Sequence, residues 1–268
     1  MESRVPVVMT FSGHDPSGGA GTQADIEVLA SMGCHAVPVV TALTVQDTRN
    51  VSRVEPVAAE LITAQAQAVL ADITVSAFKV GLLGGVAQLD AVAALARACP
   101  EIPLVVDPIL AAGGGTRLAS ADLVTALRER LLPITTVVTP NSREARLLAP
   151  GAEGLDACAE VLLALGCEFV LVTGTHEAGA EVHNRLYARD GRRHSQAWPR
   201  LEHEYHGSGC TLAAGLAGLL AQGRDPFAAA LEAQQYTWEA LNHGYRIGRG
   251  QHIPNRLFWA GEGRERRG

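Results

Sequence analysis

The chain is poor in the residues that mark several large protein classes. Cysteine is scarce: five among 268 residues, at positions 34, 99, 158, 167 and 210. The set is odd in number, scattered and without a C-x-x-C pair. That argues against a disulfide framework and a structural zinc site, and it fits a reducing cytoplasm. Long apolar runs are missing too. A spanning helix needs about 20 apolar residues, whereas the stretches at 6–11 and 211–221 are far shorter, and the first is also too brief for a secretory leader. Basic charge is in deficit, with 22 Lys and Arg against 28 Asp and Glu and a net charge of −6. No basic face large enough for nucleic acid is left. The densest basic cluster, 189–194, surrounds Asp190-Gly191 and reads as a solvated hairpin tip. There is no repeat, linker or break in composition, so one domain is expected over 1–260, with 261–268 as a disordered tail.

What is present is ordinary globular material, 47% apolar and 19% charged. Short β-branched runs alternate with longer Ala/Leu-rich segments. Strands are expected at 5–11, 36–43, 77–80, 104–107, 136–139 and 169–173, and helices at 23–32, 58–71, 86–98, 120–131 and 155–165. Strands this apolar, alternating with helices, predict an α/β fold with a mainly parallel sheet covered on both faces. Two segments break the alternation. Residues 44–57 read as a small strand pair projecting from the sheet, and 187–198 as a hairpin turning at Arg189-Asp190-Gly191.

In open parallel sheets, ligands bind beyond the carboxyl ends of the strands, and the residues there carry chemistry. Gly207-Ser208-Gly209-Cys210-Thr211 opens into a small-residue helix. A glycine-rich turn at a helix start aims backbone N–H groups at an anion. Cys210 sits where that anion would lie, which pairs charge stabilisation with a proton acceptor, as phosphoryl transfer requires. A helix N-terminus lowers a thiol pKa, so a useful thiolate fraction is expected near neutrality. The packing alternative is that Cys210 is a small apolar filler and the glycines a tight turn.

After the first strand, GHDPSGGAGTQAD spans 13–25. Its glycine spacing does not match a dinucleotide fingerprint. Asp25 could accept hydrogen bonds from a heterocycle's amino or ring N–H, or simply sit at a helix start. Asp107 ends a strand before the glycine-rich loop 113–116. Asn141 and Glu144 follow the strand at 136–139. Asn141 suits a helix cap, and an Asn-x-x-Glu there can also hold a hydrated Mg²⁺ together with substrate phosphates.

Taken in order, GHDPSGGAGTQAD, VTALTVQDT, KVGLL, VVDPIL, TPNSREA and HGSGCTLAAGLA resemble the bacterial hydroxymethylpyrimidine/phosphomethylpyrimidine kinases of the ribokinase-like superfamily. The resemblance runs from about residue 5 to 223 and more weakly to 250. It implies a three-layer α/β/α sandwich that phosphorylates 4-amino-5-hydroxymethyl-2-methylpyrimidine, and then its monophosphate, in thiamine synthesis. ATP and Mg²⁺ would be needed, with a small-molecule pyrimidine substrate, no nucleic acid, no membrane and a homodimer as the assembly. By the same resemblance Gly13, Asp25 and Gln46 bind the pyrimidine. Asp107 and Glu144 serve metal and phosphates, Asn141 and Thr173 the nucleotide, and Gly207, Ser208 and Gly209 the anion, with Cys210 as the base.

The chain departs from the family pattern at several positions. His14 stands where Ser or Thr is common, and Ser12 where Ala is. Thr173 occupies a frequent Lys position, which removes a point charge beside the triphosphate. The segment 248–256 differs from the usual ending. The alternatives are a pyridoxal kinase of the same superfamily, a ribokinase-like sugar kinase, or a non-catalytic pyrimidine sensor that kept the pocket.

Overall fold

The structure, a computed structural model, describes residues 5–260. The tail expected at 261–268 lies outside the described residues. One nine-stranded sheet runs in the order β3-β2-β1-β4-β5-β6-β7-β8-β9. Its centre consists of β1 (Val7–His14), β2 (His35–Gln46), β4 (Ala77–Val80), β5 (Leu104–Val106), β6 (Val137–Val138) and β7 (Phe169–Val172). These strands pair in parallel. The antiparallel β3 (Val51–Pro56) pairs with the far end of β2 and makes the projecting strand pair. At the other edge β8 (Glu181–Ala188) and β9 (Arg193–Pro199) form the hairpin.

The period-2 alternation of the strands decides what each face buries. Val8, Ala77, Val105, Val137 and Leu171 point to one side and join Leu29, Leu212, Leu216 and Ala233. That layer is α1 (Gly21–Ser31), α7 (Ser208–Ala221) and α8 (Pro226–Asn242). Met9, Phe11, Phe78, Val80, Val106 and Val138 point to the other side, onto Ile62, Leu89, Leu123, Leu148 and Leu162. Those belong to α2 (Ala59–Asp72), α3 (Val86–Ala98), α4 (Ala121–Ala126), α5 (Ser142–Leu148) and α6 (Leu155–Leu165). The result is the expected α/β/α sandwich.

Three local expectations are corrected. The helix expected at 120–131 ends at Ala126 and passes into a π turn (Leu127–Leu131) and a 3₁₀ turn (Leu132–Ile134), because Pro133 cannot donate to an α ladder. The hairpin begins at Glu181 rather than 187, since exposed Glu181, His183 and Arg185 alternate with more buried Val182, Asn184 and Leu186. Finally, α8 is unforeseen, although Asp225 caps it and Pro226 starts it.

Sequential strands run outward from β1 in one direction to β2 and β3, and in the other from β4 onward. The switch point therefore lies between β1 and β4, and α7 packs across β1, β4 and β5 there.

Candidate active site

On β1, Thr10 and Ser12 share the face of Val8. On β4, Lys79 shares the face of Ala77, and Asp107 continues that of Val105. Four polar side chains are thus carried at the strand ends toward α1 and α7. Lys79 is fully buried, and it is the chain's single lysine among 22 basic residues. Its ammonium lies 2.9 and 3.2 Å from the two carboxylate oxygens of Asp25, itself fully buried on α1, and 3.3 Å from Ser12 Oγ. Ser12 Oγ also donates to Asp25. Burial would lower the Lys79 pKa, but Asp25, with Cys210 and Asp107 nearby, more than offsets it and holds the ammonium charged.

Asp25 thus engages Lys79 and Ser12, while its buried Oδ1, paired with the ammonium, accepts no hydrogen bond. The lysine itself went unread as a site residue. Its signal was its solitude in a chain that otherwise uses arginine.

The anion turn is built as its glycines require. Gly207 caps α7 at φ +84°, in the left-handed region, and no side chain caps the helix. The first N–H groups of α7, on Ser208, Gly209 and Cys210, lack intrahelical partners by geometry and converge at its positive end. Cys210 is buried with its sulfur by the Gly21 amide. Burial pushes its thiol up to about 12; Lys79 draws it down, while Asp107 and Asp25 raise it further. The expected depression of this thiol is therefore reversed: at a desolvated sulfur beside two carboxylates, one ammonium does not prevail.

Asp107 faces the same turn, since a Cβ added to Gly209 would lie 3.5 Å from its carboxylate. It is buried, and its Oδ2 has no hydrogen-bond partner. Burial raises it to about 6. Burial and then the charge of Asp107 raise Glu144 to about 8. Asn141 and Glu144 form a capping box on α5. The Asn141 side chain accepts from the N–H groups of Arg143 and Glu144 at 3.0 Å, and Glu144 Oε2 accepts from the Asn141 N–H at 2.9 Å. The cap reading of Asn141 is what the structure displays. Two buried carboxylates that disfavour each other's charge, one with an orphaned oxygen, suit a hard cation that keeps waters and phosphates as its other ligands.

On the other side of Cys210 lies the loop after β1. A bulge at Ser12/Gly13 bends this strand, and a Cβ on Gly13 would come 2.9 Å from the Leu82 side chain. Asp15 gathers the loop, accepting from the Ser17 N–H and hydroxyl at 2.8 Å and the Ala20 N–H at 2.9 Å. His206 Nε2 lies 2.8 Å from the same carboxylate. Gln46, half-buried at the end of β2, donates to Thr44 Oγ1 at 2.7 Å.

Thr173 follows β7 and bridges to Asn141. It lines a cavity with Ser208 and Gly209 that opens toward Asn184, Trp198, Gln234 and Trp238. Trp198 stacks on Trp238 with ring centroids 6.3 Å apart, and both Asn184 Nδ2 and Trp198 Nε1 donate to Gln234 Oε1. The aromatic wall on β9 and α8 was not anticipated, because two tryptophans 40 positions apart carry no local signal. One centre gathers Asp25, Asp107, Cys210 and the glycine turn. Gly13 and Gln46 lie on one side of it, and Thr173, Asn141 and Glu144 on the other.

Comparison with known proteins gives the family and the fold. The family model for phosphomethylpyrimidine kinase covers residues 15–255. A hydroxymethylpyrimidine/phosphomethylpyrimidine kinase of Synechococcus elongatus is 37% identical, over 92% of this chain and 95% of the relative. Among solved structures, an ADP complex of Bacillus subtilis pyridoxal kinase superposes with a TM-score of 0.88 at 25% identity, covering 96% of this chain and 99% of that one. The phosphomethylpyrimidine kinase of Clostridium difficile gives 0.75 at 29% identity, covering 88% and 99%. The fold is ribokinase-like, and the chain belongs to the phosphomethylpyrimidine kinase family.

Proposed function

We propose that this chain is the kinase that transfers phosphoryl groups from ATP to hydroxymethylpyrimidine and then to its monophosphate, in thiamine synthesis, acting as a single kinase domain over 1–260. The observation that carries the reading is the placement of Cys210, on the first turn of α7, between the glycine loop after β1 and the cavity behind Ser208 and Gly209.

The nucleotide base and ribose would occupy the cavity walled by Trp198 and Trp238, with Thr173 and Asn141 toward the phosphates. The γ-phosphoryl group would lie over the N–H groups of 208–210, whose dipoles are fixed before the reaction starts. Asp107 and Glu144 would hold Mg²⁺, which neutralises charge on the phosphates when bound. Gly13 and Gln46 would border the pyrimidine. Asp25 would serve that side by holding Lys79 in place. Cys210 would take the proton of the acceptor hydroxyl as the O–P bond forms and the bond from phosphorus to the β,γ-bridging oxygen breaks, releasing ADP. Only a thiolate can take that proton, and burial keeps the thiol protonated in the ligand-free protein. Cys210 would therefore pass its own proton to the Asp107 carboxylate, with which it shares a hydrogen bond, as the acceptor's proton arrives.

The second phosphorylation differs chemically. Its acceptor is a phosphate oxygen, already anionic near neutrality, and needs no base. The exposed Leu43 and Val45 on the projecting pair support a homodimer through that edge. Among the described residues no helix is long and apolar enough to cross a membrane, and five free cysteines suit the cytoplasm.

Incubation with ATP, Mg²⁺ and hydroxymethylpyrimidine, with the products identified by mass, tests the reading. Monophosphate followed by diphosphate is expected. ADP release without a phosphorylated pyrimidine, or no ATP turnover despite pyrimidine binding, would count against it.

A further inference from the structure

Arg256 is 1% exposed. It lies beyond α8, in the 248–256 segment where the chain departs from the usual family ending. Its Nε donates to Thr211 Oγ1 at 3.0 Å, Nη1 to Glu27 Oε2 at 3.0 Å, and Nη2 to the carbonyl of Gly19. Thr211 Oγ1 in turn donates to the Gly207 carbonyl at 2.8 Å. One planar fork therefore touches the loop after β1, helix α1 and the first turn of α7. The two loops meet at that point, since a Cβ on Gly207 would fall 2.0 Å from Gly19 O and 2.8 Å from Arg256 Nη2.

The segment that carries Arg256 is itself tied down along its length. Tyr236 Oη donates to the Arg256 carbonyl at 2.6 Å, and Asn255 N–H to Ala240 O at 2.8 Å. His252 exchanges backbone bonds with Glu204 and His206, and Gln251 N–H reaches Thr48 O at the tip of the projecting pair. Burying a guanidinium is costly, and an apolar side chain would fill the space with less desolvation. What the fork adds is direction, because three donors in a rigid plane fix three acceptors relative to one another.

We propose that Arg256 is a positioning residue for phosphoryl transfer. It locks the acceptor-side loop at Gly19 against the anion turn at Gly207–Thr211, so that acceptor oxygen and γ-phosphorus meet in line. The inference rests on the kinase reading above. Arg256 acts through the Gly19 carbonyl on one side and the Thr211 hydroxyl, itself bonded to the Gly207 carbonyl, on the other, and need not touch either substrate.

The test compares wild type, Arg256→Ala and Arg256→Lys in steady state. Because misplacement by about 1 Å can cost about 100-fold in rate, both variants should lose roughly 10- to 100-fold in kcat, with KM for ATP and pyrimidine nearly unchanged. Lysine keeps the charge but not the fork, so it should not restore the rate. Millimolar guanidinium should restore part of the rate of Arg256→Ala, and methylammonium should not. A merely structural arginine would lower Tm and leave kcat per folded molecule intact, and that result would overturn the proposal. Should Arg256→Ala fail to fold, Arg256→Lys carries the kinetic test.

Wild type in the same assay separates the two claims. Its inactivity would overturn the kinase reading, and amide hydrogen exchange then decides the clamp. Faster exchange at 17–21 and 206–211 together in the folded variant supports it; unchanged exchange overturns it.

Discussion

Cys210 and Lys79 illustrate how differently two buried groups can be read. The cysteine announces itself through the glycines around it, and its place in the anion turn is where the motif puts it. Its ionisation is another matter. Burial under the packed sheet, with two carboxylates brought from the end of β5 and from α1, reverses the sign of its pKa shift, and no local reading could show that. Replacing it should separate the two phosphorylations. Cys210→Ala should reduce kcat for the hydroxymethyl acceptor by roughly 10²–10⁴-fold, the scale for a lost general base, and affect the monophosphate acceptor much less. Equal losses on both acceptors, measured by separate initial rates, would remove the base assignment. Lys79 has no motif of its own and becomes visible only when the sheet carries it under Asp25. Lys79→Met would strand a buried carboxylate and should cost about 3–5 kcal/mol in urea unfolding, while Asp25→Asn/Lys79→Met should recover much of that loss. An additive double variant would show that the pair is not coupled.

At the level of elements, the strands and helices that face the core were legible because their apolar period is local. Those that were missed had local signals of another kind. The capped start of α8 lay in Asp225-Pro226, and the early residues of β8, which pair with β9 alone, hid their alternation behind charged side chains. The site divides in the same way. Asp107 and the 141–144 cap were readable because each closely follows a strand, and the turn 207–211 because its glycines open into a small-residue helix. The tryptophan wall and the Arg256 clamp were not, because each depends on elements that the fold alone brings together. The anion turn is also the element most intolerant of a side chain. Gly207→Ala would place a Cβ at φ +84° against the Gly19 carbonyl. A loss of about 1–3 kcal/mol should appear in urea unfolding, along with reduced turnover. Wild-type stability and rate in that variant would mean that the loop and the turn are not held in register.

Across the whole molecule, the buried carboxylates set a pH dependence of stability. Asp107 and Glu144 titrate at about 6 and about 8 when folded, against ordinary values of 3.8 and 4.5. The native state thus holds more protons than the unfolded chain between those limits. The stability these groups contribute is fully present at low pH and is lost as pH rises from about 4 to 8. Asp15 works in the opposite sense and lower: burial raises it, but its bonds to His206 and Ser17 hold it below the usual range. In EDTA the urea midpoint should fall across pH 5–8, Glu144→Gln should flatten the upper part, and Mg²⁺ should offset the fall. A midpoint that rises through this range would contradict the charge assignment.

The central claim, that this site is a pyrimidine kinase rather than a pyridoxal kinase on the same fold, is tested most directly by one comparison. Purified protein, ATP and Mg²⁺ are offered hydroxymethylpyrimidine, its monophosphate and pyridoxal as acceptors, and kcat/KM is determined for each. Both pyrimidines should be turned over, each with a higher kcat/KM than pyridoxal. Preference for pyridoxal, or no turnover of any acceptor, would contradict it.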